Sequence, residues 1–226
     1  MFTDQSIRMM KYIYAPGCAL MSYKPHLADR LKEYVTAIYG PMDTLLPCCF
    51  NRPALSPETC VVTPCPTCAE QYAKMDPGIT SHFFLKDISE SETFPFPDYR
   101  GISMSIQDTC SARTQPEVLA TIRRLLERMG IRLLEPEKTG VRSKCCGQVF
   151  YGKVPTPKVE ELMKKRAEEM PCQDVVVYCA SCIMSMTVGG RRPRYILDLL
   201  FGESTAMQTW GADAWNCRLR DFRNSH

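Results

Sequence analysis

Thirteen cysteines stand in this chain of 226 residues, and ten of them fall into two sets with one internal order. Each set is a single Cys, then a vicinal pair, then C-x-x-C. The first is Cys18, Cys48-Cys49 and Cys65-x-x-Cys68; the second is Cys110, Cys145-Cys146 and Cys179-x-x-Cys182. Thiolates bind zinc and iron–sulfur clusters, and C-x-x-C pairs also serve thiol–disulfide exchange. A thioredoxin-like site has no use for a repeated vicinal pair. One tetrahedral zinc takes four ligands where each set offers five, so five thiols, two of them adjacent, suit a compact multi-metal cluster better. Cys60, Cys172 and Cys217 lie outside the pattern and read as small core hydrophobes, with Cys60 the one placed to substitute for a ligand.

The segments around the thiols repeat with them. The single Cys follows a strand-like run in both sets, KYIYAPGC and ISMSIQDTC, and a helix-period segment follows each. In the first helix Leu27, Leu31, Val35 and Ile38 share a face, with Gly40 as the C-terminal stop. In the second, Thr114 and Glu117 offer a capping box, Pro116 fits the first turn, and Leu119, Ile122, Leu126 and Met129 form the face before Gly130. Each C-x-x-C ends a β-branched run, CVVTPCPTC and DVVVYCASC.

The halves differ in length. Fifteen residues separate the vicinal pair from the C-x-x-C in the first set and 32 in the second, a difference of about one helix and its turn. PTPKVEELMKKRAEEM in the second half supplies that helix, with Thr156 as N-cap, Pro157 next, and Val159, Leu162, Met163 and Met170 inward. The expected fold is therefore α/β: two repeated cysteine-rich strand–helix units related by pseudo-twofold symmetry, with mainly parallel strands. The expected domains are 1–98 (shortened repeat), 99–204 (complete repeat) and 205–226 (a C-terminal extension with no assigned role). Residues 88–101 read as the linker and YILDLLFG (195–202) as a short amphipathic helix.

Composition narrows the partners. A net charge of +3 without long blocks of like charge predicts no phosphate-tracking face, which argues against nucleic acid. Forty-five per cent hydrophobic residues are enough for a core, so the thiols are not needed merely to hold the fold together. No apolar run reaches the roughly 20 residues that span a bilayer, and the first residues lack a signal-peptide core; a cytoplasmic location and reduced thiols are expected. His26 and His82 have no partner that would make them acid–base catalysts. No G-x-G-x-x-G, P-loop or H-E-x-x-H is present.

At Cys110, Cys145-Cys146-Gly147 and Cys179-Ala-Ser-Cys182 the sequence resembles the cysteine-rich CCG-domain family, typified by the cysteine-rich subunit of heterodisulfide reductase. Similar domains occur in iron–sulfur subunits of glycolate and lactate oxidation and of thiol:fumarate reductases. The resemblance covers roughly residues 11 to 202. It implies a non-cubane [4Fe-4S] cluster on Cys110, Cys145, Cys146, Cys179 and Cys182. By position it also implies a second cluster, or zinc as in some relatives, on Cys18, Cys48, Cys49, Cys65 and Cys68. There Phe50 replaces the family's Gly and the following gap is about half the expected length. The implied activity is single-electron transfer between cluster and a thiol/disulfide or a partner subunit carrying flavin or further iron–sulfur clusters. The alternative is a metal-binding scaffold, zinc or structural cluster, that recruits a partner without redox chemistry.

Overall fold

The computed structural model describes residues 10–207 and 211–226. The chain forms two compact units, Met1–Phe84 with Asp221–His226, and Leu85–Arg220. Both sheets are wholly parallel.

In the first unit, β1 (Lys11–Tyr14) leads into α1 (Cys18–Tyr23) and α2 (Pro25–Tyr39), then β2 (Thr59–Thr63), α3 (Pro66–Ala73) and β3 (Thr80–Phe83), in sheet order β1-β2-β3. Leu27, Leu31 and Val35 are buried on α2, and Gly40 caps the helix at φ 82°. Ile38 departs from the expected face and is 55% exposed, since it sits in the last turn where no neighbour covers it. The alternation of β2 puts Val61 with the cysteine-rich core and Cys60 on the opposite face, beside Tyr12. Cys60 is thus turned away from the thiols it was placed to supplement.

The second unit contains α4 (Leu85–Glu90), β4 (Ser103–Gln107), α5 (Pro116–Arg128), β5 (Arg132–Leu133), α6 (Thr156–Glu168), β6 (Asp174–Val177), α7 (Ala180–Val188), β7 (Arg192–Tyr195), α8 (Ile196–Leu200) and α9 (Gly211–Ser225), whose residues up to Arg220 belong here. The sheet order is β5-β4-β6-β7. Met104, Ile106 and Val175 to Val177 are fully buried, as central parallel strands covered on both faces must be. Residues 88–101, read as a linker, fall inside this unit. The predicted capping box does not form: Thr114 closes a 3₁₀ turn over Cys110–Thr114, and Gln115 precedes Pro116. Thr156 is the first residue of α6 rather than its cap, its hydroxyl bonding Asp213 at 2.9 Å. α8 is buried all round rather than amphipathic.

One buried carboxylate joins the loops of this unit. Asp108, fully buried two residues before Cys110, accepts from Arg123 of α5 at 2.9 and 3.2 Å. It also accepts from the Gly140 amide at 2.7 Å and the Thr139 hydroxyl at 3.0 Å, on the loop leading to Cys145, and from the Tyr178 hydroxyl at 2.8 Å, one residue before Cys179. Burial pushes its pKa up, but Arg123, Gly140 and Tyr178 outweigh burial and hold it below the ordinary carboxylate value. A folded pKa below the unfolded value of about 3.9 means that this stabilisation is fully present above pH ~4 and is lost as pH falls through the folded pKa. Asp108→Asn therefore lowers urea-unfolding stability at pH 7 by about 3 kcal/mol, because Arg123 and three further donors lose their charge-bearing acceptor. The gap between parent and variant narrows when the same unfolding is repeated at pH 3; an undiminished gap there counts against a charge effect.

Candidate metal centres

Five thiols of the first unit come together where β1 and β2 end. Gly17, at φ 87°, turns the chain from β1 into α1, whose first residue is Cys18. A Cβ on Gly17 would stand 3.2 Å from Cys68 Sγ, so glycine lets the backbone approach the C-x-x-C closely. Cys65 caps α3, its Sγ accepting from the Cys68 amide at 3.4 Å. Cys48 Sγ lies 3.6 Å from Cys18 Sγ, and Cys49 Sγ lies 3.6 Å from Cys68 Sγ. Cys18, Cys48, Cys49 and Cys68 are buried and pack with Val61, Tyr72 and Ile79. The Arg223 guanidinium faces Cys18 and Cys48 and lies 5.6 Å from the ring of Phe50.

The second unit repeats the arrangement. Cys110 opens a 3₁₀ turn after β4, and Cys179 caps α7 after β6. The neighbours that act on one another follow the same order: Cys110 on Cys145, Cys146 on Cys145, Cys146 on Cys182, and Cys179 on Cys182. Cys146 and Cys182 are buried, Cys145 and Cys179 partly exposed, and Cys110 exposed.

Proton sharing follows one order at both sites. Hydrogen bonds from Cys18 and Cys49 pull Cys48 well below the ordinary thiol value, and those from Cys110 and Cys146 do the same to Cys145. Their donors Cys18 and Cys110 are raised. The vicinal thiolate pushes Cys49 and Cys146 up to about 12. Cys179 falls to about 7 through the Cys182 thiol, with further help from the Ser181 and Cys182 amides and Thr109. Negative charge thus settles first on the leading Cys of each vicinal pair.

Two thiolates on one tetrahedral metal with ~2.3 Å bonds stand about 3.8 Å apart, close to the 3.6 Å separations of the first site. Among the described residues no three Cys, His, Asp or Glu side chains close around a single ion. In the first unit the single Cys and the C-x-x-C each approach one sulfur of the vicinal pair. Clustered thiols of this kind are a donor set for a metal or an iron–sulfur cluster.

The glycine of Cys145-Cys146-Gly147 has a specific cause. Gly147 has φ 105°, and a Cβ there would lie 2.6 Å from Met163 Cγ and 3.1 Å from the Met163 amide nitrogen on α6. Phe50 takes this place in the first unit, where no helix follows before β2, and it is 56% exposed. The missing helix and the missing glycine are one change.

The remaining candidates are placed elsewhere. His82 sits on β3, edge-on to Tyr39 at 6.0 Å. His26 is exposed on α2. Cys217 is exposed near Arg220, and Cys172 precedes β6 with its amide bonded to Ser105. Sequence reasoning missed Asp108 and Arg223. Asp108 had a signal in its position before Cys110; Arg223 had none, because nothing local links it to Cys18.

Gly147→Ala is expected to cost about 2 kcal/mol of stability through the strained φ and the α6 backbone contact, whereas Phe50→Ala costs less than about 1 kcal/mol. Thermal melts of the two variants decide, and a smaller loss for Gly147→Ala than for Phe50→Ala contradicts this account.

Comparison with known proteins bears on the second site. No curated protein matches the chain. A protein-family model described as a cysteine-rich CCG domain matches residues 104–187, a span that includes Cys110, Cys145, Cys146, Cys179 and Cys182. Residues 104–187, which carry all five thiols of the complete set, are thus similar to the cysteine-rich CCG domain.

Proposed function

We propose that the protein is an iron–sulfur redox protein of the heterodisulfide reductase type, passing single electrons to or from a thiol/disulfide or a partner redox subunit. The observation that carries this reading is the vicinal pair of the first unit, whose two sulfurs meet the single Cys and the C-x-x-C at 3.6 Å, with the same five-cysteine order repeated in the second unit. Vicinal thiolates reach neighbouring metal atoms, which a multi-iron cluster needs and a single zinc does not. Cys110, Cys145, Cys146, Cys179 and Cys182 would hold a [4Fe-4S] cluster, and Cys18, Cys48, Cys49, Cys65 and Cys68 a second cluster or zinc. Such a group, when bound, supplies one-electron chemistry.

The chain's own residues set the conditions for it. Hydrogen bonds from neighbouring thiols lower Cys48 and Cys145 from the ordinary thiol value, which favours the thiolate form that binds a metal. Asp108 fixes the three loops that present the second set. Arg223 places a cation against Cys18 and Cys48, offsetting the negative charge of the first set. Exposed Cys110 and partly exposed Cys145 give the second site access to solvent, while Cys18 and Cys48 are buried.

Anaerobic purification followed by iron, sulfide and zinc counts per chain, with spectra before and after dithionite, tests the reading. Iron and sulfide with a dithionite-bleached chromophore are expected; zinc with neither iron nor sulfide sinks the redox proposal and leaves the scaffold. Cys145→Ala and Cys146→Ala should each lower bound iron by about half when both sites hold a cluster, and by nearly all of it when the first holds zinc, while Cys217→Ala leaves it unchanged. Equal iron in all three variants shows that the ligands are misassigned.

A further inference from the structure

We propose that a cavity in the second unit, beside Cys145, binds an organic anion: a carboxylate or phosphate head on a short apolar body. The cavity measures about 690 Å³, within the roughly 300–1,000 Å³ of small-molecule sites. Its wall carries five cationic side chains and one carboxylate. That carboxylate, Glu169, is already paired with Lys144 and with Arg166 (2.6 Å), and Lys165 is paired with Glu161 at 2.7 Å.

Arg113 and Arg142 are left with no side-chain hydrogen bond or ion pair among the described residues. The Arg113 Nε and the Ser143 Oγ on the same wall are buried without a hydrogen-bond partner. A buried polar group without a partner costs about 1–3 kcal/mol, so two residues of the wall hold polar atoms that the fold leaves unsatisfied. The guanidinium fork matches the paired oxygens of a carboxylate or a phosphate.

The rest of the wall is apolar and open. Val141, Val149 and Phe150 are 60%, 44% and 39% exposed, and all three line the cavity. A bare inorganic ion would leave that surface wet; an alkyl or aryl body would cover it. Of the five thiols in the second set, Cys145 alone lines the cavity, so the space meets the thiol site at a single sulfur. The inference rests on the cavity itself and stands whether or not the thiols carry a redox cluster.

Isothermal titration of the full-length purified protein with phenyl phosphate, benzoate, inorganic phosphate and benzyl alcohol tests it. Phenyl phosphate or benzoate is expected to bind about ten-fold or more tighter than inorganic phosphate and benzyl alcohol, and the tighter of the two identifies the head group. Arg113→Gln and Arg142→Gln should each weaken that binding about ten-fold, while Lys158→Gln, outside the cavity on α6, leaves it unchanged. Arg142 is exposed, so its variant carries the test if Arg113→Gln does not fold. Organic anions that bind no tighter than inorganic phosphate overturn the proposal. So does unchanged affinity in Arg142→Gln, or an equal loss in Lys158→Gln.

Discussion

The second unit depends on the burial of one charge. A carboxylate with no solvent exposure is tolerated only when its oxygens are fully hydrogen-bonded and its charge is balanced, and Asp108 obtains these partners from α5, from the 139–140 loop and from the end of β6. The 139–140 loop leads into Cys145 and the end of β6 into Cys179, while Asp108 itself precedes Cys110. The placement of the thiols is thus fixed from behind by an electrostatic demand of the fold, and they need not organise their own loops.

The first unit reaches a similar arrangement by other means. Pro16 stands where Asp108 would, and backbone contacts take over: the Tyr14 amide bonds Asp43, the Leu45 amide bonds Tyr14, and the Tyr72 hydroxyl reaches the Pro47 carbonyl. Arg223 adds a cation next to the thiols. The two sites share the contact order of their sulfurs and differ in what surrounds them. The first is buried and backed by a guanidinium, whereas the second opens at Cys110 and Cys145. Equal thiol sets in unequal surroundings need not share one metal or one potential.

Much of this was legible in the sequence because its signals are local. The four strands that precede cysteines, the helices after them and the extra helix between Gly147 and Cys179 follow from period and spacing. What was missed depends on tertiary contact. Ile38 continues the helical stripe but meets no neighbour, and the apolar run of α8 looked amphipathic only because the burial of Asp198 could not be foreseen. The Thr114–Glu117 box gave way to a 3₁₀ turn begun at Cys110. Arg223 is 205 positions from Cys18, and no pattern within one segment joins them.

That separation has a consequence for synthesis. The first unit is discontinuous: its strands lie within the first 84 residues, but Asp221–His226 complete it. On a ribosome adding about 5–20 residues per second, the early segment waits on the order of ten seconds for the residues that bring Arg223 to its thiols. During that wait Cys18 and Cys48 lack their guanidinium and Phe222 its place in the core. The second unit, by contrast, is continuous in sequence and needs no such late segment.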